Sequence, residues 1–380
     1  VKLAIVTRNA IHGGVETLIA LHQRLFEADV FVAGGHNFPE TCPFEYTYLQ
    51  DGQALAQALR TYDVVEYHWL PAWAVEAIQL ADRPGLEVVH RIDTADCDKS
   101  VPAVVVTHSG YLAGFIRDVY GRDAMVIPYA IEVDKFDGSL NRGPYIGALT
   151  SYYQTKGIDI FLRAWGQLEA DFPGQKARFY GTGLDLPKYQ QMVTDMGLKN
   201  VELLGAINSP ELHLKEYCLY LVPSRIEGMP LAILEALASN IPVLCSSLPG
   251  MAEFNQLAAE RGYEPPLILF ESENVLDLAL KLRRFLTQPL PPCNTRDYVA
   301  KFYNPDNHRE AYLGAFAQAM QVHRQFGGNL YRGATLPAKG APQLSSVEAE
   351  DLRFAAAVIR RLRASKLYPI IRFVGKCLTG

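Results

Sequence analysis

Glu227 and Glu235, with seven residues between them, lie in the stretch Pro223-Ser-Arg-Ile-Glu-Gly-Met-Pro-Leu-Ala-Ile-Leu-Glu-Ala-Leu-Ala238. The apolar run Leu219 to Val222 before it predicts a buried parallel strand, and Ser224 to Gly228 a loop. Pro230 suits the first helical position, where its missing N–H costs nothing. The helix runs through Ala238, is stopped by Asn240 and Pro242, and leads to a strand at Val243 to Ser246. In an open α/β sheet such a loop sits at the carboxyl end of a strand, where ligands bind. The N–H groups opening the helix would face that crevice and form a ready site for phosphate. One acid can then meet hydroxyls beyond the phosphates, the other hydroxyls on the nucleoside side. Two acids alone would suit a solvated loop and a surface helix equally well.

The elements that must position these acids can be read along the chain. Leu3 to Val6 predicts the first buried strand, followed by Gly13-Gly14 and a helix from Val15 to about Glu27. Strand, glycine pair and helix make a phosphate-cradle arrangement without the GxGxxG spacing of dinucleotide sites, and a mere tight turn fits as well. Val30 to Ala33 is the second strand and Gln53 to Arg60 a short helix. Asp63 to Tyr67 is the third strand, with His68 and Trp69 at its end. They fit either a sugar-facing wall with an aromatic stacking surface or a structural aromatic corner. Leu86 to His90 is a further strand, and Asp93 and Asp96 follow it closely enough to join an acceptor site. Ala103 to Thr107 and the helix Tyr111 to Tyr120 complete a first unit, and 137–143 is rich in turn residues. A second unit opens with Pro144 to Leu149. It continues with Lys156-Gly157, the helix Ile158 to Ala170, and Arg178 to Gly183 as strand and Gly-x-Gly loop. The helix Tyr189 to Met196, the strand Val201 to Gly205 and a helix Pro210 to Tyr217 lead into the acidic block. Leu267 to Phe270 and the helix Val275 to Leu286 end the unit, and Asn304 to Arg324 reads as a long helix crossing back.

Taken whole, PSRIEGMPLAILEALASNIPVLCSS resembles the Glu-x7-Glu signature of retaining nucleotide-sugar glycosyltransferases of the GT-B fold, of the glycosyltransferase family 4 kind. The resemblance covers roughly residues 1 to 325 and is strongest from 220 to 254. It implies an α/β fold of two Rossmann-like domains facing across a cleft. The acceptor domain would be 1–142, the donor domain 143–303, the crossover helix 304–325, and a linker and basic helical tail 326–380. Carried over, Glu227 touches the donor sugar and Glu235 the ribose, with Arg225, Gly228, Met229 and Leu231 around them on the donor. Gly13 and Gly14 match the loop near the donor diphosphate, Gly181 and Gly183 the turn beside the nucleotide, and His90 the histidine near the anomeric centre. Met125 to Phe136 is similar to the segment that closes the first domain. Lys156 matches the lysine of the family's Lys-Gly pair. The family's diphosphate arginine has no counterpart, because Ala148 stands at its position. Lys156 is then the main cation for the leaving phosphate, with Arg225 as a substitute whose direction the sequence does not show.

The implied activity is retaining, metal-independent transfer of a hexose-type sugar from a nucleotide diphosphate sugar to a hydroxyl of a glycan, glycolipid or small molecule. Catalytic roles fall to Lys156, Glu227 and His90, and acceptor-side roles to His68, Trp69 and Asp93. No cofactor is implied beyond the donor itself, and no metal is expected. The alternatives are an epimerase or sugar phosphorylase of the same fold, or a non-catalytic nucleotide-sugar-binding protein, which the missing arginine favours.

The 380 residues suffice for two domains, and 49% hydrophobic with 20% charged residues is globular composition. A net charge of −5 gives no bias toward polyanions, so no nucleic-acid partner is expected. The six scattered cysteines form no CxxC pair, which points to a reducing compartment without structural zinc. With neither a leader nor a membrane span legible, a cytoplasmic protein is expected. Within the tail, Leu352, Phe354, Ala355, Val358, Ile359 and Leu362 share one helical face, opposite Arg353, Arg360 and Arg361. The segment 351–374 suits either a helix on an anionic membrane surface or one docked on the body.

Overall fold

The computed structural model describes residues 1–11, 13–35, 42–91, 103–140, 142–207, 209–288 and 294–326. Asp93, Asp96 and the tail 327–380 therefore lie outside the described residues.

Two parallel sheets carry the fold. The first joins β1 (Leu3–Thr7), β2 (Asp29–Val32), β3 (Thr47–Tyr48), β4 (Val64–His68), β5 (Gly85–Val89), β6 (Ala103–Thr107) and β7 (Ala124–Val126). Its order is β3-β2-β1-β4-β5-β6-β7. The second joins β8 (Tyr145–Leu149), β9 (Lys176–Tyr180), β10 (Val201–Leu204), β11 (Tyr217–Val222), β12 (Val243–Ser246) and β13 (Leu267–Phe270), in the order β10-β9-β8-β11-β12-β13. Strands β1, β4, β5 and β6 are buried along their whole length, as expected of strands covered on both faces by helices. Each sheet reverses direction at one place, between β1 and β4 and between β8 and β11. At such a switch point neighbouring loops diverge and leave a crevice at the carboxyl ends.

Helices α1 (Gly14–Phe26), α2 (Gly52–Leu59), α3 (Ala72–Ala81) and α4 (Gly110–Tyr120) belong to the first unit. In the second are α5 (Ile158–Trp165), α6 (Leu186–Asp195), α7 (Pro210–His213), α8 (Leu231–Ala238), α9 (Pro249–Glu260), α10 (Val275–Thr287) and α11 (Thr295–Phe302). Helix α12 (Pro305–Phe326) returns and packs on β4, β5 and β6 of the first sheet. The fold class expected from the sequence is the one found.

The local differences have local causes. Pro230 is the residue before α8, with φ −68° and ψ 130°, so the helix opens at Leu231. The expected helix from Pro210 to Tyr217 ends at His213. A single 3-10 turn, Leu214–Glu216, follows, and Tyr217 already pairs in β11. Helices α3, α9 and α11 were not among the sequence expectations. Helix α9 follows the Leu248-Pro249 step with proline in its first turn, which reads in sequence as a turn as much as a helix start.

The two units touch directly. Glu253 of α9 accepts from the backbone N–H of Gly110 at 2.6 Å and of Tyr111 at 2.8 Å, satisfying two donors that α4 leaves open at its start. A Cβ on Gly228 would stand 2.5 Å from the carbonyl oxygen of His90, so only glycine allows the β11–α8 loop this close to the end of β5.

Candidate functional site

The loops at the two switch points face each other across a cleft of about 1130 Å³. From the first unit it is lined by Gly13 and Gly14 after β1, by His90 and Arg91 after β5, and by Tyr129 to Glu132 after β7. From the second come Ala148 to Ser151 at the end of β8, Lys156 before α5, Gly181 and Thr182 after β9, and Pro223, Ser224, Glu227 to Ala232 and Glu235 around the start of α8. Gly181 has φ +156°, and a Cβ there would fall 1.6 Å from the carbonyl oxygen of Thr150. The turn thus lets two strand ends close behind the cleft.

The second unit places its charges on the cleft surface. Lys156 Nζ donates to Glu227 Oε1 at 2.5 Å, and Ser224 Oγ donates to the same oxygen at 3.0 Å. Glu227 is buried, with Lys156 over it. A lysine held on a carboxylate at the mouth of a helix start is poised to move to an anionic ligand. Glu235 stands one helical turn into α8. Burial, and after it the charge of Glu211, pushes its carboxyl up to about 7. Across the cleft, Glu16 of α1 is likewise pushed up to about 7 by burial.

Ten of the residues expected in the site line the cleft: Gly13, Gly14, His90, Lys156, Gly181, Glu227, Gly228, Met229, Leu231 and Glu235. Four do not. Gly183 packs against the backbone of Tyr152 behind the turn. Arg225 does not take the place of the absent arginine. Its guanidinium grips Asp159 with two bonds of 2.8 and 2.9 Å and donates to the Gln154 carbonyl at 2.8 Å. It braces the loop that carries Lys156 from behind. Trp69 is half exposed with φ +40° and lies under the Arg8 guanidinium, 4.9 Å from ring centroid to Cζ, outside the cleft lining. His68 is buried behind the wall, hydrogen-bonded to His90 at 2.9 Å and to Glu66 at 2.8 Å.

His90 itself is on the wall, but both ring nitrogens have protein partners, His68 on Nε2 and the Tyr129 hydroxyl, at 2.7 Å, on Nδ1. Burial, then the neighbouring His108, His68 and His22, holds its pKa well below the usual imidazole value. Sequence reasoning missed Tyr129, Arg91 and Ser224 on the cleft, and Glu66, His22, His108 and His308 behind it. Ser224 could have been found from its place in the acidic block. The others carry no spacing signal, since they meet only through the sheet. Arg24 and Lys135 also line the cleft, and both pair with Glu132, the former at 2.5 Å. No group of three or more metal-ligating side chains is placed to hold a metal among the described residues. Nor is any helix among them long and apolar enough to cross a membrane.

Comparison with known proteins agrees with this geometry. Residues 143–288 match the family model described as glycosyl transferases group 1. An uncharacterized glycosyltransferase of Methanocaldococcus jannaschii is 28% identical over 209 residues, 52% of this chain and 55% of that protein. An Escherichia coli UDP-Gal:alpha-D-GlcNAc-diphosphoundecaprenol alpha-1,3-galactosyltransferase is 28% identical over 195 residues, 46% of this chain and 50% of that one. The chain thus spans about half the length of these curated relatives. Among solved structures, Anabaena HepE in complex with UDP and glucose superposes with a TM-score of 0.69 at 16% identity, covering 83% of this chain and 99% of that one. The chain has the GT-B fold, and its residues 143–288 are similar to the glycosyl transferases group 1 family.

Proposed function

We propose that the protein is a retaining glycosyltransferase that moves a hexose-type sugar from a nucleotide diphosphate sugar to a hydroxyl acceptor without a metal. The observation that carries this is the Lys156–Glu227 pair at the start of α8, with Glu235 one turn further, facing the other domain across the cleft. A donor diphosphate at the helix opening would draw Lys156 off Glu227. Glu227 would then accept from sugar hydroxyls and Glu235 from the ribose. As the glycosidic bond breaks, negative charge grows on the leaving phosphate. Lys156 and the first N–H groups of α8 stabilise it there more than in the ground state. Retention rests on the acceptor hydroxyl entering on the face the phosphate leaves, since no carboxylate is assigned as nucleophile. The likeness to structures holding UDP and UDP-glucose makes a UDP-sugar the first donor to try.

The test is a thermal-shift screen of UDP-, GDP- and ADP-sugars followed by donor hydrolysis and transfer with and without EDTA. A stabilising donor that is hydrolysed in EDTA supports the reading. Binding without turnover on any acceptor would favour a non-catalytic sugar-nucleotide receptor. Turnover only with added magnesium or manganese would refute the metal-free mechanism. We assign the segment 351–374 to an anionic membrane surface and a lipid-linked acceptor. The supports are its one-sided arginine face and the diphosphoundecaprenol acceptor named for the Escherichia coli relative. Deleting the chain after Gly340 should release the protein from anionic liposomes and leave donor hydrolysis intact. Full-length protein that ignores such liposomes at low salt would sink this assignment.

A further inference from the structure

Behind the first domain's cleft wall runs a chain of buried polar side chains that the proposed reaction does not use. From the cleft inward, the Tyr129 hydroxyl lies 2.7 Å from His90 Nδ1, and His90 Nε2 lies 2.9 Å from His68 Nδ1. His68 Nε2 is 2.8 Å from Glu66 Oε1, and the same oxygen is 2.7 Å from His22 Nδ1. His22 Nε2 is 2.8 Å from His308 Nε2. Backbone carbonyls fix the ends. His308 Nδ1 is 2.8 Å from the Pro128 carbonyl oxygen. His108 Nδ1 is 2.9 Å from that of Ile127, while its Nε2 is 3.2 Å from His90 Nδ1. The members come from α1, β4, the ends of β5 and β6, the segment after β7, and α12.

Hydrogen-bond chemistry orders the protons. A carbonyl only accepts, so His308 and His108 carry N–H on Nδ1 and offer lone pairs on Nε2. Burial first, with the charge of His22, holds both near pKa 3, which keeps them neutral. His22 Nε2–H therefore donates to His308. Glu66 Oε1 meets two ring nitrogens, and Oε2 has no hydrogen-bond partner among the described residues. Burial works to raise its pKa, but the charge of His22 and the hydrogen bonds of His22 and His68 outweigh that and lower it, so the carboxylate is ionised. It accepts an N–H from each ring. His22, donating from both nitrogens, is the imidazolium that pairs with it. His68 is neutral with its proton on Nε2, its Nδ1 accepts from His90 Nε2–H, and the lone pair on His90 Nδ1 takes the Tyr129 O–H. Its cost is one long lone-pair contact to His108. The reverse order would place a second positive charge, on His68, in a fully buried site, and that desolvation is the larger cost.

We propose that Glu66 and His68 are positioning residues for the cleft: by ordering these protons they turn the Tyr129 hydroxyl proton inward and leave its oxygen as a hydrogen-bond acceptor for a hydroxyl of the donor's sugar. The sugar rather than the nucleotide is the ligand, because the His90 carbonyl abuts Gly228, next to Glu227. This deepens the proposed function and rests on it.

The experiment has two arms on the full chain. In the first, 15N-histidine labelling and long-range 1H–15N NMR read each tautomer, with His90 assigned through His90→Gln. Expected are Nε2–H on His90 and His68, Nδ1–H on His108 and His308, and both on His22. An Nδ1–H His90 in the wild type overturns the proposal whatever the enzyme does. In the second, calorimetry compares UDP with UDP-glucose, or with GDP- and ADP-glucose against their own diphosphates if one of those is the donor bound. Tyr129→Phe should weaken the nucleotide sugar by about tenfold, the scale of one hydrogen bond, and leave the diphosphate unchanged. Glu66→Gln should do the same in direction and shift His90 toward Nδ1–H, which a merely structural residue would not do. Equal affinity of Tyr129→Phe and wild type for the nucleotide sugar overturns the proposal. Failure of the wild type to bind any donor instead overturns the proposed function, and the NMR arm still decides the proton order.

Discussion

The two switch points face one cleft but use their polar groups in opposite ways. Around α8, Lys156, Glu227 and Glu235 line the cleft from two short loops and one helical turn, with Lys156 bonded to Glu227. Around β4 and β5, Glu66, His68, His22 and His308 are buried behind the surface and bond to one another, and of this network only His90 and Tyr129 line the cleft. The first arrangement would bind by charged groups that line the cleft. The second shapes by fixed dipoles and cannot change partners without exposing a buried charge. The two faces are thus distinguishable by which of their charged groups line the cleft and which lie behind it.

The largest break of that contrast should come from the buried side. Glu66→Ala leaves the His22 imidazolium without its counter-charge, and removing one partner of a buried pair costs roughly 3–5 kcal/mol. Urea titration should show it. A loss under about 1 kcal/mol would mean that the pair is not ionised. On the cleft side, Lys156→Ala should cut turnover of the nucleotide sugar by about a hundredfold or more, the scale of one charge-stabilising donor. Loss of stability without loss of turnover would reverse the assignment of the two faces.

Glu235→Ala should weaken nucleotide binding by roughly 1–3 kcal/mol, measured by calorimetry with UDP, while Glu227→Ala chiefly lowers turnover. If both variants keep wild-type constants, the site is elsewhere. Arg225→Ala sharpens the comparison within the second domain. Its guanidinium is committed to Asp159, so turnover should fall less than tenfold, as for a partly exposed structural ion pair. A loss equal to that of Lys156→Ala would put the guanidinium on the diphosphate after all.

The smallest effect is a pH effect. The Glu235 carboxyl is raised from 4.5 to about 7 in the folded chain, so the folded state holds a proton that the unfolded state has released between those values. Stability from this group is therefore full below about 4.5 and declines as pH rises toward 7. Glu235→Gln should unfold at a higher temperature than wild type at pH 8 and similarly at pH 4. If ribose hydroxyls donate to the ionised form, UDP affinity of the wild type should rise as pH climbs through about 7 and that of the glutamine variant stay flat. Parallel profiles for the two proteins would remove Glu235 from the ribose.

The sequence by itself determined the doubly wound architecture, because buried parallel strands are apolar runs and each lies between loops rich in glycine or polar residues. It also foretold that Lys156, Glu227 and Glu235 come together along one cleft. Lys156, Glu227 and Glu235 are held by loops and a helix whose geometry is set within a few residues, so spacing carries over into space. Tertiary structure decided the rest. Arg225 turned to Asp159, not the cleft, because the β11–α8 loop folds back on α5, which no local pattern records. His22, Glu66, His68, His90, His108, Tyr129 and His308 are scattered along the chain, the first and last 286 positions apart. They meet only because parallel strands bring distant chain ends side by side and α12 closes over them. A histidine in a sequence has two nitrogens and no assigned proton. Which nitrogen donates is settled by the neighbour each one meets, and those neighbours exist only in the folded chain.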